Sequence, residues 1–366
     1  MRLAQFWRDF DYVLLGATVV LIVIGVVMIG SATRGAIDPD LQARVSRQVI
    51  YAAVGLVVVF ILAAIDYHFL TSTYLWIYGV IVGMLAIVGI LGTAGELGAQ
   101  SWINLGIIPV QPSELAKILL IVALAEHLTR NRARIHQLPI VLRSLAFVAL
   151  PTAFIFIQPD LGMTALIMAV WFVMVWAAGM RWQHVVLLVI VVLAMLPILW
   201  SVMEPYQRQR IVTFISPESD PDAAYNIEQA LIAIGNGGAS GRGYMQGPQS
   251  QLRYLRVRHT DFIFAVLAEE FGFPGGEAVL LLMALVTWRA LRGAQVASDP
   301  EGSLICYGVA TVLFLQTLVS IGMNMGVLPV TGLTLPFISS GGSSLITLLL
   351  GVGLVESVVV RRRAIE

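Results

Sequence analysis

Ten long apolar stretches alternate with polar segments along the chain. They run roughly over residues 12–32, 48–65, 74–92, 113–129, 141–158, 161–179, 185–202, 262–290, 304–323 and 342–360. A helix needs about 20 mostly apolar residues to cross the hydrocarbon core of a bilayer. Lipid admits only helices or closed barrels, because every backbone polar group must find its partner inside the protein. The pattern predicts an all-α, polytopic integral membrane protein of about ten transmembrane helices. The eighth stretch is the least regular: Phe271-Gly272-Phe273-Pro274-Gly275-Gly276 should break or bend it. The first, from about Tyr12 to Ile29, follows Arg2 and Arg8 and exceeds the roughly 7–15 residues of a signal-peptide core. Many similar stretches follow it, so it reads as a retained span.

Orientation follows from the basic residues of the short loops. With the N-terminus in the cytoplasm, the inner segments hold Arg2, Arg8, Arg130, Arg132, Arg134, Arg143, Arg181, Arg289, Arg292, Arg361, Arg362 and Arg363. The short outer loops hold only Arg34, Arg44 and Arg47. Both termini are therefore expected inside, and the long segment from about 203 to 260 outside. That segment carries six arginines, but long segments cross largely regardless of charge. Within it, Ile227, Ala230, Leu231 and Ile234 share a helical face, predicting a short amphipathic helix near the outer interface. The glycine-rich run Gly235 to Gly243 that follows lacks a phosphate-loop ending, and reads as a flexible loop or as one that shapes a substrate.

Composition agrees with a membrane protein. Of 366 residues, 58% are hydrophobic and 12% charged, against about 25% charged in soluble domains. The formal net charge is zero, so nothing in the total points to nucleic acid. Cys306 is the single cysteine and excludes an intrachain disulfide.

In this topology spans two, four, six, eight and ten begin at the outer surface. Four of those starts are unusually polar: Gln111-Pro112-Ser113-Glu114, Gln158-Pro159-Asp160, His259-Thr260-Asp261, and Ser339-Ser340-Gly341-Gly342-Ser343-Ser344. Helix N-termini suit anions, and proline followed by an acid is also ordinary helix-start chemistry. Capping explains any one start. Four on one side suggest a polar cavity opening outward.

Lys117, the only lysine, lies inside span four, three residues after Glu114 on one helical face. Either the two satisfy each other, or the lysine also meets an anionic ligand. Arg208 and Arg210 flank Gln209 after span seven, and Arg256 and Arg258 repeat that spacing before Asp261. Arginine grips phosphate well, but such a pair shares a face only in extended chain. Solvated loop arginines are the alternative. Metal chemistry looks poor: His68, His127, His136, His184 and His259 are scattered, with no helical pair and no Cys/His cluster. Asp220-Pro221-Asp222 could be an acidic ion-binding pair but reads better as a polar turn. No hydrolase nucleophile elbow is present.

Seven segments, in order, resemble the signatures of one family. They are Trp102-Ile103-Asn104-Leu105-Gly106, Gln111 to Lys117, Gln158-Pro159-Asp160-Leu161-Gly162, Tyr206-Gln207-Arg208-Gln209-Arg210, Gln249 to Leu252, His259 to Ala265, and Leu335 to Ser339. The family is the shape, elongation, division and sporulation (SEDS) family of peptidoglycan polymerases, and the first and fourth segments are closer to its elongation members than to its division members. Two positions depart from it: Arg256-Val257 stand where Pro-Glu is frequent, and Ser340 where tyrosine is. The resemblance implies one transmembrane domain over residues 1–366, with the 203–260 loop outside. It implies an inverting glycosyltransferase that polymerises lipid II at the outer face of the inner membrane during elongation and expels undecaprenyl pyrophosphate. Asp261 matches the family's catalytic aspartate. Substrate-binding roles are expected for Lys117, Glu114, Arg208, Arg210, Gln207, Trp102, Asp160, His259, Thr260 and Ser343. A divalent cation could assist at the pyrophosphate, though the sequence names no ligands for it. The implied partner is a class B penicillin-binding protein, the transpeptidase that cross-links the strands. The rival reading is a lipid II flippase, which outward polar groups and a bent eighth span would also serve. A carrier, however, needs its site near the midplane, and these polar residues gather at the outer ends.

Overall fold

The structure, a computed structural model, describes residues 7–91, 93–94, 100–104 and 109–362. Each of the ten apolar stretches is a helix: α1 Tyr12–Ala32, α2 Arg44–Ala64, α3 Tyr74–Leu91, α4 Pro112–Arg130, α5 Leu138–Ile157, α6 Leu161–Ala177, α7 Trp182–Val202, α10 Ile263–Val296, α11 Pro300–Asn324 and α12 Gly342–Val360. Helices α8 Pro205–Ile215 and α9 Pro221–Gly237 lie between α7 and α10. Seven of the ten are long and apolar enough to cross a membrane, and α3 and α6 are shorter apolar helices. Helix α4 interrupts its apolar surface with Glu114, Lys117 and Glu126. The protein is a multi-pass membrane protein.

Local chemistry sets the helix starts. Asp11 Oδ1 accepts from the Val13 and Leu14 amides at 3.2 and 3.0 Å and opens α1. Pro112 occupies the first turn of α4, with Glu114 in the same turn, where a missing N–H costs nothing and an acid meets the positive end of the helix. Asp160 and Asp299 cap α6 and α11 through the Met163 and Gly302 amides, each at 2.9 Å.

Helices α12 and α11 form the centre of the bundle, 89% and 67% buried over their apolar windows. Helix α7 has no buried residue; it rests against the bundle through the partly buried Val185 and Leu188. The first span packs into the bundle through Leu14, Leu21 and Met28.

Helix α10 is interrupted where the glycine–proline cluster predicts. Gly272 lies at φ 63°, ψ −157°, a region open essentially to glycine alone. The glycine-rich run seals this break and is not a loose loop. The Arg242 and Gly243 amides donate to the Glu269 and Glu270 carbonyls at 3.0 and 2.9 Å, and the Phe273 amide to the Gly238 carbonyl at 2.9 Å. A Cβ at Gly237, Gly241 or Gly272 would strike backbone. The long segment between α7 and α10 is thus structured by α8, α9 and a short helix, Pro248–Gln251. The expected amphipathic helix is α9, longer than predicted. It buries Ala230 and Ala233 completely, while Leu231 is 46% exposed. Pro221 starts it, so Asp220-Pro221 is a helix start; the side chain of Asp222 lies outside the described residues.

The all-helical expectation omits one small feature. Strands β1 Thr93–Ala94, β2 Gln100–Asn104 and β3 Pro109–Val110 form an antiparallel sheet in the order β1-β2-β3 between α3 and α4. Strands this short carry little periodicity to read. Of the residues used for orientation, Arg2 and Arg363 lie outside the described residues, as do Leu105 and Gly106 of the first signature.

Candidate functional site

The polar helix starts converge at one end of the bundle. The Gln111 amide before α4 donates to Ser343 Oγ in the first turn of α12 at 3.1 Å. At the start of α6, a Cβ on Gly162 would meet Thr331 at 3.0 Å, so α6 abuts the α11–α12 connection. Gln48 of α2, 1% exposed, clasps that connection: Nε2 donates to the Ser339 carbonyl at 3.2 Å, and Oε1 accepts from the Gly341 amide at 3.3 Å.

The segment entering α10 is held by the same connection through its backbone. The His259 carbonyl accepts from the Ser340 amide at 3.0 Å. The Thr260 carbonyl accepts from Ser339 Oγ at 2.7 Å. The Asp261 carbonyl accepts from Asn324 Nδ2 at 2.8 Å. Asn324 is fully buried and also accepts from the Ala265 amide at 3.1 Å. One side chain thereby ties Asp261 to the first turn of α10. Asp261 is half-buried, and the N-cap position belongs to Phe262. Val257, two residues before His259, lies at φ 49°, an outlier for a β-branched residue. Desolvation, with Arg44 and Arg258 nearby, holds His259 down to about 4, so it is neutral at physiological pH.

A second group lies at the starts of α4 and α6. Lys117 Nζ pairs with Glu114 Oε2 and donates to Gln316 Oε1 at 3.2 Å. The lysine is 1% and the glutamate 5% exposed. This is the self-satisfied pair, and the ammonium is not presented to an outside ligand in this conformation. The lysine also lines a void of about 10 Å³ with Leu120, Ile121 and Trp171, room for about one water. Asp160 is partly buried and feels Glu114, Arg210 and Lys117. Desolvation raises its carboxyl to about 6; the Met163 amide bond opposes this, Glu114 adds to it, and Arg210 and Lys117 oppose it.

The two arginines of the Tyr206–Arg210 segment part company because the segment is helical. Glu204 and Gln207 make a reciprocal capping box and Pro205 sits in the first turn of α8. Residues two apart then point about 200° apart. Arg210 lies over the Tyr206 ring at 5.5 Å, and Tyr206 donates to the Pro159 carbonyl, so Arg210 stays beside Asp160. Arg208 instead turns back to the Ser201 carbonyl of α7 at 2.8 Å. Gln207 is 1% exposed, accepts from the Glu204 amide at 2.9 Å, and serves the cap. Trp102 is partly buried on β2, paired with Thr93.

The structure therefore joins His259 and Thr260 to the α11–α12 connection and Asp261 to Asn324 at the end of α11, places Ser343 in the first turn of α12, and gathers Glu114, Lys117, Asp160 and Arg210 beside the neighbouring helix starts. Gln48 and Asn324 were not singled out from sequence. A buried amide at a span end is the signal that could have found them, since such a group needs partners.

The cell cycle protein family of FtsW, RodA and SpoVE matches residues 12–364. The chain belongs to this family, the SEDS family. Among curated relatives, the peptidoglycan glycosyltransferase MrdB of Escherichia coli (strain K12) is 36% identical over 99% of this chain and 97% of its own length. Among solved structures, a chain of "Structural coordination of polymerization and crosslinking by a peptidoglycan synthase complex" superposes with a TM-score of 0.82 at 31% identity, over 96% of this chain and 98% of that one. The crystal structure of the Thermus thermophilus rod shape determining protein RodA matches with a TM-score of 0.72 at 30% identity, over 98% of this chain and 99% of that one. Similarity to these SEDS proteins thus runs through every element described above.

Proposed function

We propose that this SEDS protein is a peptidoglycan glycosyltransferase that polymerises lipid II during cell elongation, at the outer face of the cytoplasmic membrane. The observation that carries the reading is the backbone anchoring of His259, Thr260 and Asp261 beside three converging helix starts, in a chain whose full-length relatives carry that enzyme name. The acceptor is the 4-hydroxyl of the lipid II N-acetylglucosamine. Asp261 takes its proton as the oxygen attacks the anomeric carbon of the donor's N-acetylmuramic acid. The new glycosidic bond forms with inversion as the bond to the pyrophosphate breaks, and the lipid pyrophosphate departs with the electron pair. Positioned general bases contribute about 10²–10⁴-fold in rate.

Positive groups must meet the leaving pyrophosphate. Arg210 and the free amides at the starts of α6 and α12 are suited to this. Lys117 acts from beneath, fixing Glu114 and shaping the field on Asp160. Neutral His259 adds no charge at the base. The partner is a class B penicillin-binding protein, consistent with the synthase complex among the structural neighbours, and co-purification from cells in mild detergent should recover it. The test of function is purified protein incubated with lipid II, with products separated by size. A ladder of glycan chains is expected. Transfer of lipid II between leaflets of a vesicle without any chain growth would establish the transport reading instead.

A further inference from the structure

At the opposite end of the bundle, a cluster stands apart from everything the polymerase reading uses. His68 follows α2, Asp299 caps α11, and Glu301 lies in the first turn of α11. One ligand atom from each residue lies within 4.8 Å of the others, with His68 Nε2 3.3 Å from Asp299 Oδ2. Helix α11 spans 25 residues from this cluster to Asn324, about 37 Å of helix. The cluster is therefore remote from Asp261.

Three observations distinguish it from an ordinary acidic patch. Glu301 is 8% exposed, and its Oε1 is buried without a hydrogen-bond partner. A buried, unpaired polar atom is costly and calls for an explanation. Second, Asp66 Oδ1 sits 2.8 Å from His68 Nδ1. That contact fixes the ring and leaves Nε2 toward Asp299, the carboxylate–histidine arrangement that supports metal-ligating imidazoles. Third, the His68 side chain is 51% exposed, which gives an ion a path in.

We propose that His68, Asp299 and Glu301 bind a divalent transition-metal ion, with Asp66 orienting the histidine. One imidazole nitrogen and two carboxylates suit an ion of the Zn²⁺ class. The bound ion pairs the orphaned Glu301 oxygen and staples the α2–α3 link to the start of α11. Tyr67, which donates to Asp299 Oδ2, and Arg361, 3.5 Å from Asp66, frame the site. The sequence concealed it because a lone histidine and two distant acids show no ligand spacing.

The experiment is equilibrium dialysis of the full-length protein in detergent against buffered Zn²⁺. Wild type should take up one equivalent. Asp66→Asn should weaken binding by about 10–100-fold. His68→Ala and Glu301→Gln should abolish the tight equivalent, while His136→Ala should bind as wild type does. Zn K-edge absorption on the wild-type protein, which needs no variant to fold, should show a single imidazole among light-atom ligands. Lack of uptake, equal uptake by all variants, or a shell of two or more imidazoles would overturn the proposal. Lack of uptake would mark the cluster as an ion-pair network around protonated His68. Polymerase activity is not read, so this test stands or fails separately from the proposed function.

Discussion

Lys117 is the residue whose charge is hardest to explain by packing alone. An ionised side chain at the centre of a membrane costs about 2.5–3.5 kcal/mol on insertion scales, and here Glu114 and Gln316 absorb it. Removing one partner of a buried pair costs about 3–5 kcal/mol, whereas replacing both is often neutral. Lys117→Ala should therefore lower the unfolding temperature in detergent, and Lys117→Met with Glu114→Gln should restore it. If the restored double variant also regains full polymerisation, Lys117 is a structural partner only; if it folds but polymerises poorly, the pair serves the substrate. Asp160 gives a pH signature. Its carboxyl titrates near 6 in the folded protein, above the usual 3.8, so folding favours the protonated form. Its contribution is fully present below about pH 3.8 and is lost as pH rises through about 6. Asp160→Asn keeps a capping oxygen but cannot ionise, so its stability should gain on wild type between pH 4 and 6; a constant difference across that window would contradict the assigned environment. The Lys117–Glu114 pair was legible because both partners lie on one helix. Asn324 and Gln48 were not, because their partners lie far away in sequence.

Among the elements, α10 carries the most specific packing. Its break at Gly272 rests on a conformation reserved for glycine and on backbone contact with Gly241. Gly272→Ala adds about 1–3 kcal/mol of backbone strain as well as a collision with Gly241. Thermal unfolding should show a marked loss of stability, while Gly79→Ala, with no atom within 4 Å of the added methyl, should behave as wild type. Equal behaviour of the two variants would refute the close seam. The spans were readable because twenty-residue apolar runs leave lipid-crossing helices as the simplest solution, and the break was readable from Gly272 and Pro274. The seam was not: glycine advertises freedom in sequence, and only the structure shows Gly241 used for close approach. The parting of Arg208 and Arg210 follows from the capping signal Glu204-Pro205-Tyr206-Gln207, which was present in the sequence and makes that segment helical.

For the whole molecule, sidedness decides whether the site can meet an extracytoplasmic substrate. The ends that converge near Asp261 belong to α2, α4, α6, α10 and α12, and the proposed orientation, which rests on the basic residues of the short loops, turns that side to the exterior. Single cysteines on a Cys306→Ala background check this in intact cells: Leu252→Cys, 65% exposed, should react with an impermeant reagent, and the exposed Arg134→Cys should not. The reverse labelling would move the site to the wrong face. The family and the ten apolar helices were legible from motifs and apolar runs, while the sheet over 93–110 was too short to announce itself. The central claim is that Asp261, anchored by Asn324 and the α11–α12 connection, takes the acceptor's proton. Asp261→Asn preserves size but cannot take a proton. The direct measurement is the rate of glycan formation from lipid II by purified, folded Asp261→Asn protein beside wild type. The account predicts lipid II binding retained and a rate at least about 10²-fold lower; a variant that keeps more than about a tenth of the wild-type rate, above what loss of a general base allows, would remove Asp261 from that role.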